Sequence, residues 1–156
     1  MTQTVVQQPT SKAALISVSL AHAENLCRAN RARLTPIRRR VLETLHNSNR
    51  PLGAYDLAAA LAPQGRRMAP ITVYRALEFL IEQGLAHRLA SLNAYVASSQ
   101  ANDGRGTAAF LICEACGSVS EVSSPELHDA VSNLHKSHSF SPRARLLELT
   151  GRCAHC

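Results

Sequence analysis

The chain has 156 residues, 46% of them apolar, with 17 basic and 11 acidic side chains and a net charge of +6. This size suits one domain or two small ones, and the apolar fraction supports a buried core, which excludes a disordered chain. No stretch approaches the roughly 18 apolar residues of a membrane-spanning helix, and Met1–Thr10 offers no apolar core of a secretion signal.

Residues 1–17 are polar, contain Pro9 and show no clear period; a mobile tail is expected. From Val18 the apolar residues Leu20, Ala23, Leu26 and Cys27 recur at three- and four-residue steps, which predicts a helix with Cys27 as a small core residue. Thr35 is an N-cap candidate, and Pro36 suits the first position of a second helix with Ile37, Val41, Leu42 and Leu45 inward. A short third helix is expected over 54–61, between Gly53 and Pro63. A fourth opens at Pro70, buries Val73, Leu77 and Leu80, and stops at Gly84.

After Gly84 the period changes to two. Segments 85–90 and 94–97 flank Ser91-Leu92-Asn93 and read as a hairpin. Three helices followed by a short hairpin are the parts of a winged helix-turn-helix, assigned to residues 18–97. Residues 98–106 read as a polar hinge linker. Residues 107–156 read as a second, α/β domain, and the fold class is α+β. In that domain, strands over 110–112 and 118–122 meet at a knuckle over 113–117. A helix starts at Ser124 and Pro125 with Leu127, Val131 and Leu134 inward, and a last strand covers 145–149.

The charges are unevenly placed. Residues 1–88 hold 12 basic and 5 acidic groups, and residues 89–156 hold 5 and 6; only Lys12 and Lys136 among the cations are not Arg. A basic half beside a nearly neutral one points to a polyanion partner for the first. In the fourth helix Thr72, Arg75 and Phe79 are expected to face away from the core, with Tyr74 on the flank. An outward Arg early in the second helix of a helix-turn-helix can pair bidentately with a guanine edge in the major groove, and Tyr74 suits a phosphate or a thymine methyl. Arg31, Arg33, Arg38, Arg39, Arg40, Arg66 and Arg67 supply further positive charge in the same half.

Five cysteines comprise Cys27 and the pairs Cys113/Cys116 and Cys153/Cys156, with 36 residues between the pairs. An odd total, with four of the five in two C-x-x-C pairs, argues against a secreted disulfide framework and for a reducing, cytoplasmic compartment. Two such knuckles supply the four thiolates of a tetrahedral Zn²⁺ site. A redox pair or an iron–sulfur cluster is the alternative, although the strand–helix setting of a redox C-x-x-C is missing. A four-cysteine zinc leaves no open coordination position and would be structural. A hydrolytic or deaminating zinc enzyme is not expected: there is no His-Glu-x-x-His, and His22-Ala23-Glu24 lacks a matching Pro before the first C-x-x-C, where Ile112 stands.

Several segments together resemble the ferric uptake regulator family of bacterial metal-dependent repressors. They are Arg33-Leu34-Thr35-Pro36, Ala54-Tyr55-Asp56-Leu57, Thr72-Val73-Tyr74-Arg75-Ala76-Leu77, Gly84-Leu85, Cys113-Glu114-Ala115-Cys116-Gly117 and Leu149-Thr150-Gly151-Arg152-Cys153 with the last Cys pair. Tyr55, His87 and Asn93-Ala94-Tyr95-Val96 are most similar to the zinc uptake branch. The resemblance implies a homodimer on palindromic double-stranded DNA, with residues 107–156 as the dimerisation domain, and zinc-dependent repression of zinc-acquisition genes. It implies Tyr55 and Arg75 as base-reading residues, Arg33 and Thr35 as DNA-backbone contacts, and Cys113, Cys116, Cys153 and Cys156 as ligands of one structural zinc per chain. No membrane and no small organic substrate are implied.

The regulatory metal of that family sits at the hinge on four ligands. His87 and Glu121 match two of them. The other two positions fall on Ser98 and Gly106, which offer a poor ligand and none. Asp103 is the available substitute. A second sensor ligand before the last strand is lost near Ala144, and His128, His135, His138 and His155 are expected to be solvated or satisfied residues. Two further functions therefore stand beside the repressor: a family member that binds DNA independently of regulatory zinc or answers another signal, and a winged-helix protein-interaction module.

Overall fold

A computed structural model of the chain describes residues 11–62, 65–66, 68–99, 106–143 and 145–156. Residues 1–10, Pro63, Gln64, Arg67, Asp103 with the rest of 100–105, and Ala144 lie outside the described residues.

Helix α1 spans Lys12–Ala29 and starts well before the expected Val18. Ser11 caps it, its hydroxyl accepting from the Ala14 N–H at 3.2 Å, and Ile16 extends the buried stripe of Leu20, Ala23 and Cys27 backwards. The Lys12 ammonium donates to the Asn47 carbonyl and to Asn49 Oδ1 at 2.8 and 2.7 Å, so residues 11–17 are not tail but the tied first turns of a helix.

Helix α2 spans Pro36–Asn47, α3 Ala54–Ala60 and α4 Pro70–Glu82. Pro36 and Pro70 open their helices, where a missing N–H costs nothing. Thr35 occupies the cap position of α2, but its hydroxyl makes no capping bond. Gly84, at φ +71°, turns the chain sharply out of α4. One core joins α1–α4 through Leu20, Val41, Leu42, Leu57, Val73, Leu77 and Leu80.

Strands β1 (Ala86–Leu89) and β2 (Ala94–Ala97) pair antiparallel as the wing. Ala90, expected in the first strand, belongs instead to a 3₁₀ turn over Ala90–Leu92, closed by Asn93 in the left-handed region. The cause lies outside the hairpin: the Ala90 and Ser91 N–H groups point at the Glu148 carboxylate. Tyr95 of β2 exchanges backbone bonds with Leu52, so the wing is anchored to the loop before α3.

Strands β3 (Ala108–Cys113), β4 (Val119–Val122) and β5 (Leu146–Gly151) form a sheet in the order β4-β3-β5. β4 runs antiparallel to β3. β5 runs parallel to it after the crossover helix α5 (Pro125–Ser137), which Ser124 caps through the Leu127 N–H. β5 continues past the expected Leu149 because the Glu114 N–H reaches the Gly151 carbonyl at 2.8 Å.

The two faces of this sheet differ. On one, Ala108, Phe110 and Ile112 form a second core with Leu89 of the wing, joined by Val96, Val119 and Leu146. On the other, Leu111 and Leu149 stay about half exposed. Leu127, Val131 and Leu134 were expected inward, yet no residue of α5 is buried within one chain, and Leu134 is 60% exposed. Leu127 and Val131 are half-buried, so among the described residues this apolar stripe is only partly covered by its own chain.

Leu89 is completely buried, whereas Leu92 three residues on is 43% exposed. Leu89→Ala is expected to lower stability by about 2–4 kcal/mol and Leu92→Ala by under about 0.5 kcal/mol, a contrast measured by urea unfolding.

Candidate nucleic-acid interface and metal centre

Helix α4 buries Val73, Ala76, Leu77 and Leu80 and leaves Ile71, Tyr74, Arg75 and Glu78 exposed. Arg75 therefore projects from a helix whose back is fixed by the core, with Tyr74 beside it and Thr72 half-buried. Phe79, expected outward, packs against the core instead, and the Arg38 guanidinium lies over its ring at 3.6 Å. Tyr55, 72% exposed near the start of α3, is the most open aromatic side chain among the described residues. Arg33 is exposed and Thr35 half-buried, on the approach to α2.

The cations of this half are not equivalent. Arg38 stacks on Phe79 and donates to the Arg33 carbonyl at 2.7 Å, Arg39 pairs with Glu24, and Arg40 donates to the Leu61 carbonyl at 3.2 Å. These three brace the helices. Arg31, Arg33, Arg66 and Arg75 are exposed, and such free guanidinium groups are the ones available to an anionic partner.

In the second half of the chain the sulfur atoms of Cys113, Cys116, Cys153 and Cys156 all lie within 4.8 Å of one another. Gly117, at φ +71°, lets the first knuckle fold back, and its N–H donates to the Cys113 carbonyl. Sulfurs bound tetrahedrally at about 2.3 Å from zinc stand roughly 3.8 Å apart, and Cys116 and Cys153 are at 3.8 Å. Backbone N–H groups of Cys116 and Cys153 aimed at the Cys113 sulfur lower its thiol to about 6, and hydrogen bonding to Cys153 and Cys116 raises Cys156 to about 12. Four thiolates this close cannot all ionise without a cation between them, so the donor set fits a divalent, thiophilic metal with no coordination position left open.

The hinge is different. His87 Nε2 lies 3.1 Å from Ser98 Oγ and 3.7 Å from Glu121 Oε1, while Glu121 Oε2 accepts from the Ser99 N–H at 2.7 Å. Ser98 is buried and the His87 ring packs against Phe110. Burial pushes the His87 imidazole below its usual range, with Glu121 pulling it back in part. His87, Ser98 and Glu121 thus meet as the resemblance implies, but as one imidazole, one hydroxyl and one carboxylate. Gly106 adds no side chain, and among the described residues the four cysteines are the only set of three or more His, Cys, Asp or Glu donors that converges. By themselves, the described hinge donors, one imidazole, one hydroxyl and one carboxylate, do not fit a tight zinc site.

Residues 29–150 match the model of the ferric uptake regulator family. The chain belongs to that family. It is 37% identical over 137 residues to the zinc uptake regulation protein of Escherichia coli (strain K12), spanning 88% of this chain and 80% of that one. Its fold is similar to a zinc uptake regulator complexed with zinc and DNA, with a TM-score of 0.80, 35% identity and 96% of both chains covered. It is also similar to holo XcZur, at a TM-score of 0.77, 36% identity, 90% of this chain and 97% of that one. Against apo XcZur the TM-score is 0.53, at 35% identity over 92% of this chain and 98% of that one. The chain is thus more similar in overall fold to holo XcZur than to apo XcZur.

Two contacts that join the halves of this family member escaped sequence reasoning: Glu148 to the wing turn, and Phe110 to His87 and Leu89. No local pattern marks either; both depend on strand register.

Because Cys113 is already largely a thiolate at neutral pH while Cys156 is not, metal loading at pH 7 is expected to release fewer than the four protons of four ordinary thiols. Calorimetric zinc titrations of the metal-free chain in buffers of different ionisation enthalpy measure that number.

Proposed function

We propose that the chain is a zinc-dependent transcriptional repressor of zinc-acquisition genes, acting in the cytoplasm as a homodimer on palindromic operator DNA. The observation that carries this reading is Arg75, exposed on a helix whose opposite face is wholly buried, in a fold similar to a zinc uptake regulator complexed with zinc and DNA. Arg75 and Tyr55 read bases; Tyr74 and Thr72 flank them, and Arg33 and Thr35 hold the phosphates. The Thr35 hydroxyl, unused by its helix, is available to a phosphate oxygen. The partly covered stripe of α5 and the half-exposed outer face of the β3–β5 sheet support a second copy as the missing cover. Among the described residues no helix is long and apolar enough to cross a membrane.

Cys113, Cys116, Cys153 and Cys156 would hold one structural zinc per chain. Bound there, zinc supplies charge neutralisation and a cross-link but no Lewis-acid site, which supports a regulator and not an enzyme. The cysteine ligands tie the end of β5 to the β3–β4 knuckle.

The hinge favours a second element of the reading: zinc dependence resides in the four-cysteine site, and the hinge holds without regulatory zinc. The observation is the His87–Ser98 hydrogen bond beside Glu121. Taking a switch from 1:99 to 99:1 requires about 5.5 kcal/mol of differential binding, which a lone imidazole and carboxylate do not supply. His87 and Glu121 are the regulatory-site residues retained, and they serve here as a polar latch.

Arg75→Ala is expected to weaken operator binding by about 1–3 kcal/mol and to relax base preference, and wild-type affinity is expected to fall steeply with salt as counterions are released. Equal binding of every sequence by both proteins, or salt-insensitive binding, would return the protein-interaction module to favour. Zinc titration of the wild-type dimer is expected to fill one tight site per chain. A Ser98→Cys/Gly106→His variant is expected to gain a second, with operator affinity that rises as it fills. A second submicromolar site in the wild type would show that the hinge senses zinc.

A further inference from the structure

The wing turn is held by a carboxylate from the other half of the molecule. Glu148 stands on β5 beside Phe110 of β3, on the sheet face that receives the wing. Its Oε1 accepts from the Ala90 N–H at 2.6 Å, its Oε2 from the Ser91 N–H at 3.0 Å, and the Ser91 hydroxyl donates to the same Oε2. Two successive N–H groups at the start of a 3₁₀ turn have no partner inside the turn, so a bidentate carboxylate satisfies both. Burial alone would raise the Glu148 carboxyl, yet these donors hold it below its ordinary range, so it is ionised at neutral pH.

Apolar packing of Leu89 on Phe110 has no direction and permits rocking. A fork of hydrogen bonds does have direction. Glu121 bonds to the base of the wing at Ser99, and Glu148 bonds to its tip. Two separated anchors fix an angle, whereas one leaves a pivot. Only Gln83–Leu85 separate α4 from β1, and the Leu85 N–H is tied back to the Leu80 carbonyl at 2.8 Å, so the wing and α4 move as one piece.

We propose that Glu148 is a positioning residue: by clamping the wing turn to the sheet it sets the separation and angle of the two α4 helices across the dimer. It touches no DNA; it selects the spacing between half-sites. This rests on the reading of the chain as a DNA-binding homodimer.

The test uses the full-length, zinc-loaded protein and an operator selected by it from random DNA. That operator is remade with about one or two base pairs inserted or removed between half-sites, each step rotating one half-site by roughly 35°. An isolated half-site serves as control. Wild type is expected to lose about tenfold or more in affinity per base-pair change, equivalent to about 1.4 kcal/mol. Glu148→Ala is expected to vary less than about threefold across the spacings, to keep its isolated half-site affinity within about twofold of wild type, and to lose its advantage on the optimal spacing. Glu148→Gln, which keeps the volume and one acceptor, is expected to fall between. A Glu148→Ala spacing profile identical to wild type overturns the proposal. So does an equal loss on the isolated half-site, which would mean that Glu148 merely supports the fold of the wing. A wild-type chain that is monomeric, or that selects no DNA, overturns the underlying reading instead.

Discussion

Leu89 leaves the winged-helix half and enters the core of the other half, where it meets Ala108, Phe110 and Ile112. Most of what the molecule can do depends on that insertion. Burying an aliphatic side chain contributes about 1.5–3 kcal/mol, enough to make the wing's attachment to the sheet the default arrangement. The attachment brings β1 over β3, which sets His87 on Phe110 and within reach of Glu121. It also lays the wing turn against β5. Without Leu89 in place, neither carboxylate would find its donors.

The four cysteines bear on the same assembly through β5. β5 is a parallel strand reached only by a crossover, so its register has no hairpin to define it. A metal held by the four cysteines would supply that definition, cross-linking the residues just beyond β5 to the knuckle between β3 and β4. A one-residue slip of β5 would turn Glu148 to the other face of the sheet. Metal occupancy at the cysteines would thereby be connected to the wing through β5 and its Glu148.

Much of this was legible in the sequence where the physics is local. Pro36, Pro70 and Ser124 announced their helices, Gly84 and Gly117 their turns, and the spacing of the cysteines their convergence. The start of α1 was hidden because Leu15 and Val18, apolar but half exposed, blur the stripe that Ile16 extends. Phe79 was misplaced because helical period alone cannot foresee Arg38 closing over a ring. The hinge was legible as a list of residues, His87, Ser98 and Glu121, but not as a hydrogen-bonded cluster. Glu148 was not legible at all: its donors are 57 and 58 positions away, and only the parallel register brings them together.

Helix α5 carries one more consequence. With no residue of its own buried within the chain and Leu134 and Phe140 left open, its stability is borrowed from whatever covers it. If that cover is another copy, folding of the distal half obeys mass action, and dilution loosens α5 before it loosens the helical core. A newly made chain in a cell with few copies would hold a finished reading head on an unfinished base. The abundance of the protein would then itself be a variable of its chemistry, set by an equilibrium between chains and not by any ligand.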